Sequence, residues 1–103
     1  MSRLERGVQF AKNIKIIDWL KTEIFVQVAN LSKGLYHANQ LLIVESLSSL
    51  IVATYVLARR VGFSYREMDQ AVIEKLREHT REGHQLEQWY GDLSALDEYI
   101  NKR

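Results

Sequence analysis

A chain of 103 residues with a formal net charge of +1 fits one domain and carries no excess of positive charge that would mark a nucleic-acid binder. It has no Cys, which excludes a disulfide framework and a thiolate zinc site and fits a reducing cytoplasm. With no Pro and five Gly the usual breakers are scarce, so an all-α fold of long helices is expected. The charge is uneven: residues 1–62 hold eight Lys/Arg against four Asp/Glu, and residues 63–103 hold six against nine. Such an asymmetry suits contacts between subunits as well as ligand steering. The N-terminus has basic residues, but Lys12, Lys15 and Asp18 interrupt the apolar run that a signal peptide needs, so none is read there.

Residues 1–12 read as an arm or a short first helix, and residues 13–103 as a single helical domain. From Asn13, a candidate N-cap, the row Ile17, Leu20, Ile24, Val28, Leu31 and Leu35 recurs at spacings of three and four and predicts a helix to about Tyr36. A second row, Trp19, Phe25, Val26, Ala29 and Tyr36, widens its apolar side beyond what one neighbour covers. His37-Ala38-Asn39 is a short connection, which predicts an antiparallel neighbour. Asn39 should cap the next helix and Gly62 end it. Between Leu41 and Ala58 that helix is apolar nearly all round, with Glu45, Ser46, Ser48 and Ser49 gathered in one sector.

A helix apolar on all sides must be covered by protein or by lipid. Its length suits a short membrane span, but one Glu and three Ser lie inside it and no other segment would pair with it in lipid, so no membrane role is expected. Ser64-Tyr65-Arg66-Glu67 is a capping-box pattern opening a third helix, with Met68, Ala71 or Val72, and Leu76 inward, to about Arg81 and a stop at Gly83. Residues 84–91 read as a segment pinned to the core by Leu86, Trp89 and Tyr90. Asp92 should cap a last helix to about Ile100, with Leu93, Leu96 and Ile100 on one side.

Single constellations are weak. His79, Glu82, His84 and Glu87 lack metal-ligand spacing and read as a solvated face. Ser46, Ser48 and Ser49 have no nucleophile-elbow glycines and read as small residues that let helices approach. Arg59 and Arg60 are phosphate candidates, as is Lys75, but cations in a helix's last turn also answer its dipole.

The pairing of helices says more. VQVANLSKGL (residues 26–35) and ESLSSLIVATYVLARRVGFSYREMDQAVIEKLREH (residues 45–79) resemble the MazG-type nucleotide pyrophosphohydrolases, and HQLEQWYGDLSAL is similar to a small, divergent MazG-like group of Gram-positive bacteria. The resemblance covers about half the chain. It implies an all-α bundle of three to four main helices completed by oligomerisation, as a homodimer or homotetramer through residues 40–62. It also implies Mg²⁺-dependent cleavage of nucleoside triphosphates to monophosphate and pyrophosphate. The family's Glu-Glu-x-x-Glu falls on Val26, Gln27 and Asn30, and its Glu-x-x-Asp on Ser46 and Ser49, so no acidic ligand is retained. Neutral amides and hydroxyls do not offset the charge of a Mg²⁺–triphosphate site.

The expectation is a degenerate metal site in a cytoplasmic, non-catalytic oligomer that binds a nucleotide or a protein, with no cofactor. Glu23, Val26, Gln27, Asn30, Glu45, Ser46, Ser49 and Asp69 would line the vestigial cleft. The competing reading is an enzyme whose metal site has moved to Glu23, Glu45 and Asp69, and only that reading calls for Mg²⁺. A third is a structural helical module with no ligand.

Overall fold

The computed structural model describes residues 3–83 and 85–102. They form α1 (Arg3–Tyr36), α2 (Gln40–Arg60), α3 (Tyr65–Arg81), α4 (Gln85–Tyr90) and α5 (Asp92–Lys102), with no strand among them. The chain divides into two compact units, Met1–Tyr65 and Arg66–Arg103.

The first unit is an antiparallel hairpin of α1 and α2. The helix expected from Asn13 starts ten residues earlier, at Arg3, so residues 3–12 continue α1 and do not make a separate arm or helix. Asn13 is therefore not an N-cap. Its side-chain amide instead donates to the Arg60 carbonyl, 3.1 Å away, at the far end of α2.

At the other end of the hairpin stands Gly34, which is buried. A Cβ there would lie 3.1 Å from Ile43 Cγ1 and 3.2 Å from the Ile43 backbone nitrogen. The missing side chain lets the two backbones approach, and this sets the rotation of α1. The inner row becomes Asn13, Ile17, Leu20, Ile24, Gln27, Leu31 and Gly34. Val28 and Leu35, expected inward, are 47% and 61% exposed. Sequence periodicity weighs only the apolar residues, so it overlooked a row in which an amide and a glycine make the contact.

The connection closes through a Schellman motif. Asn39 N–H donates to the Gly34 carbonyl at 2.9 Å and Ala38 N–H to the Leu35 carbonyl at 3.3 Å, with Ala38 at φ 53°. Alanine is an unusual occupant of that left-handed position, which normally favours glycine. As expected, Asn39 caps α2, its Oδ1 accepting the Leu42 N–H at 3.1 Å. The end of α2 repeats the motif with the usual residue: Phe63 N–H donates to the Ala58 carbonyl at 2.9 Å, and Gly62 has φ 114°.

Leu20 and Ala53 form the apolar centre of the hairpin, and Ser46, about two helical turns from Ala53 along α2, is fully enclosed. α1 covers one side of α2. The opposite side leaves Leu41, Val44 and Ile51 exposed. α2 is long and apolar enough to cross a membrane by length and composition, a weak indication for one helix, and it packs side-on against α1 through Ser46 and Ala53.

In the second unit α3 begins directly after Ser64 and buries Leu76, with Met68 and Val72 half-buried and Ala71 exposed. Gly83 stands two residues past the end of the helix with φ 71°, as its position predicts. The aromatics of residues 84–91 do not pin that segment to a core. Trp89 and Tyr90 are 66% and 71% exposed and meet each other edge-on. α4 is too short to bury both rings against a neighbour.

Asp92 is the first residue of α5 rather than its cap. Glu87 of α4 supplies the capping group, accepting the Ser94 N–H at 2.8 Å and the Ser94 hydroxyl. The helix runs past Ile100 to Lys102, and Leu96 is exposed, not inward.

Candidate functional site

Two contacts set the register of the hairpin: Gly34 against Ile43, and Asn13 against Arg60. In that register Gln27 stands level with Ser49, and Asn30 with Ser46. The hairpin thus brings together four of the five positions at which the resemblance would call for carboxylates. What it places there is not a metal cradle.

Ser46 is 0% exposed, and its hydroxyl donates to the Leu42 carbonyl at 2.7 Å. It is a packing residue, small enough for α1 to close over it. Gln27 is half-buried, and its amide donates to Glu23 Oε1 at 2.9 Å. Asn30 is half-buried and Val26 is 46% exposed.

Beside this seam an open groove of about 410 Å³ runs between the helices, lined by Trp19, Leu20, Glu23, Ser48, Ser49, Val52, Ala53 and Val56. Its walls are apolar and one face is aromatic. Glu23 is the one ionisable residue in its lining, held by Gln27. The Ser48 hydroxyl is committed to the Val44 carbonyl at 2.7 Å. Of the eight residues expected in the cleft, Glu23 and Ser49 reach the groove and Gln27 braces Glu23. The apolar part of the lining escaped sequence reading, because Trp19, Val52 and Val56 are indistinguishable from core residues until α1 is rotated by Gly34.

Within the hairpin, Glu23 and Glu45 do not converge on a relocated metal site. Glu45 is exposed, and the register sets it about seven residues along the hairpin from Glu23, roughly 10 Å along the axis. Asp69 belongs to the other unit and is exposed. No group of three or more His, Cys, Asp or Glu among the described residues is arranged to hold a metal ion. The donor set therefore does not fit the Mg²⁺ that the resemblance implies, since a hard cation carrying triphosphate needs several carboxylate oxygens at one point.

The second set of candidates is also divided. Arg59 and Arg60 are exposed in the last turn of α2, whereas Lys75 is paired with Glu78 of α3 at 3.1 Å. That pairing holds the Glu78 carboxyl below its ordinary value near 4.5, through the Lys75 hydrogen bond first and its charge second. His79 lies 3.9 Å from Glu82 in an exposed pair, and His84 falls outside the described residues.

A family model described as the MazG-like family matches residues 10–93, which takes in most of α1, the groove and all of α2, α3 and α4. The chain belongs to the MazG-like family. No curated protein and no solved structure gives a significant match. The match extends beyond the segments that carried the resemblance, since it begins sixteen residues before Val26. The matched stretch takes in Val26, Gln27, Asn30, Ser46 and Ser49, each of them apolar or neutral polar.

Proposed function

We propose that this MazG-like protein acts by binding rather than by hydrolysis, as a cytoplasmic homo-oligomer that takes a nucleotide in the groove between α1 and α2. The observation that best supports the reading is Ser46. It occupies a position where pyrophosphohydrolase chemistry would need a carboxylate facing a metal, yet it is fully enclosed with its hydroxyl turned onto its own helix. A carboxylate there would be stripped of water with no cation to offset it.

The groove offers other chemistry. Trp19 gives a flat, half-exposed aromatic surface on which a base stacks, and Glu23 gives an acceptor for an exocyclic amine at the base edge. Arg60 lies one helical turn beyond Val56, on the side toward which phosphates would extend. Association of subunits through α2 accounts for the apolar surface that α1 leaves uncovered.

A panel of nucleosides and nucleotides in thermal-shift measurements, with and without Mg²⁺, tests the reading. A nucleotide at a hundred times its dissociation constant adds about 2.7 kcal/mol of stability. The shift is expected without Mg²⁺ and is expected to disappear in Trp19→Ala. No shift with any nucleotide overturns nucleotide binding and leaves a structural helical module, or one whose partner is a protein.

A further inference from the structure

The rows that wall the groove continue past it into four cations. Lys12, Lys15, Trp19 and Glu23 follow one another at spacings of three, four and four, which puts them on one face of α1. On α2, Arg59 and Arg60 stand three and four residues past Val56. The Asn13 amide on the Arg60 carbonyl ties the two helices together at this level, so Lys12 and Lys15 stand at the height of Arg59 and Arg60. All four are exposed, and none has an ion pair among the described residues. Residues 10–16 and 56–63 contain no Asp or Glu.

We propose that Lys12, Lys15, Arg59 and Arg60 form a metal-free anion site for a polyphosphate chain whose ring system lies on Trp19. The site rests on the nucleotide reading under Proposed function and assigns what offsets the ligand's charge. The phosphates run away from positions 26, 27, 30, 46 and 49, and side-chain cations take the place of a divalent ion.

Helix capping does not occupy the arginines. A helix end leaves its last carbonyls unsatisfied, and cations there commonly answer them. In α2 those carbonyls have other donors: Leu57 accepts from Val61 N–H at 3.0 Å, Ala58 from Phe63 N–H at 2.9 Å, Arg59 from Gly62 N–H at 3.2 Å, and Arg60 from the Asn13 amide. The guanidinium forks are left for a ligand, and their geometry suits phosphate oxygens. The groove is also polarised along its length. Glu23 stands one turn beyond Trp19 on the side away from the cations, so an anionic chain is drawn to one end only. A neutral nucleoside leaves all four cations unanswered, and a triphosphate comes nearer to matching them than a monophosphate.

Isothermal titration calorimetry in EDTA, with a nucleoside, its mono-, di- and triphosphate, and inorganic triphosphate, tests the site. Affinity is expected to rise at least about threefold with each phosphate added, and to fall with added salt. Lys12→Gln with Lys15→Gln, or Arg59→Gln with Arg60→Gln, is expected to weaken triphosphate binding about tenfold and to leave the nucleoside within about twofold. Lys75→Gln, which removes a cation already paired with Glu78, is expected to change neither. Equal affinity for nucleoside and triphosphate, charge variants that bind as the wild type does, or a gain from phosphates only when Mg²⁺ is present overturns the cation site and leaves the nucleotide reading intact. Inorganic triphosphate bound as tightly as the nucleotide, with the nucleotide's affinity unchanged in Trp19→Ala, overturns the nucleotide reading and leaves the cations as an anion site alone. No heat from any of these ligands at millimolar concentration overturns both.

Discussion

A carboxylate placed at position 46 separates a packing residue from a dormant metal site. In Ser46→Asp a carboxylate enters a position with 0% exposure, where the space now holds a hydroxyl bonded to the Leu42 carbonyl. An uncompensated buried charge costs about 3–5 kcal/mol, or the group takes up a proton and the cost moves into its titration. For a chain of this size each kcal/mol corresponds to about 4–8 °C in Tm, so a loss of at least about 12 °C at neutral pH is expected. Acidification should recover part of it: burial raises the carboxyl's folded-state pKa, so the destabilisation grows above the unfolded value and fades below it.

Ser46→Ala provides the control. It removes a hydroxyl whose acceptor is a helix carbonyl already serving the backbone, and it improves helix propensity by about 0.5 kcal/mol, so a change within about 0.5 kcal/mol is expected. Far-UV circular dichroism during thermal and urea unfolding, with and without millimolar Mg²⁺, reads both variants. If Ser46→Asp matches the wild type in stability and gains a Mg²⁺-dependent shift, position 46 faces a working cation site and the packing argument is wrong.

The other predictions concern the hairpin's two ends and one exposed pair. Ala38→Gly relieves a left-handed alanine in the Schellman turn and should raise stability by about 1 kcal/mol in urea unfolding. Gly34→Val sets side-chain carbon against the backbone nitrogen of Ile43, which cannot move without shifting α2. It should cost at least about 2 kcal/mol, with Gly34→Ala milder because helix propensity returns up to about 1 kcal/mol. For Glu78, whose carboxyl titrates below its ordinary value because of Lys75, the pair's contribution is present above pH 4.5 and lost as pH falls through the folded-state pKa. Carboxyl NMR titration should show Glu78 moving back up in Lys75→Ala.

Local chemistry made much of the fold legible. Asn39 and Gly62 bracket α2 because an N-cap side chain and a positive-φ glycine act within a few residues of the helix they bound. Gly83 ends α3 for the same reason. What escaped depends on contacts distant in sequence or on residues outside their usual roles. Asn13 resembles a cap until its partner, forty-seven residues on, is known. Ala38 does a glycine's work and so gives no signal. Glu87 caps a helix seven residues away across the α4–α5 turn, where local reading assigned the role to Asp92.

In the site, the neutral side chains at positions 26, 27, 30, 46 and 49 are read directly from the sequence. That Ser46 would be sealed and Trp19 left exposed was not, because both depend on the rotation of α1 that Gly34 permits.

Pyrophosphate release from a panel of ribo- and deoxyribonucleoside triphosphates, with Mg²⁺ or Mn²⁺, tests most directly whether this member of the MazG-like family binds without hydrolysing. Release at the no-protein background, unchanged in Glu23→Gln, is the predicted result. Release at an ordinary enzymatic rate that Glu23→Gln abolishes would contradict it, placing a working carboxylate in the groove and reviving the relocated-site enzyme.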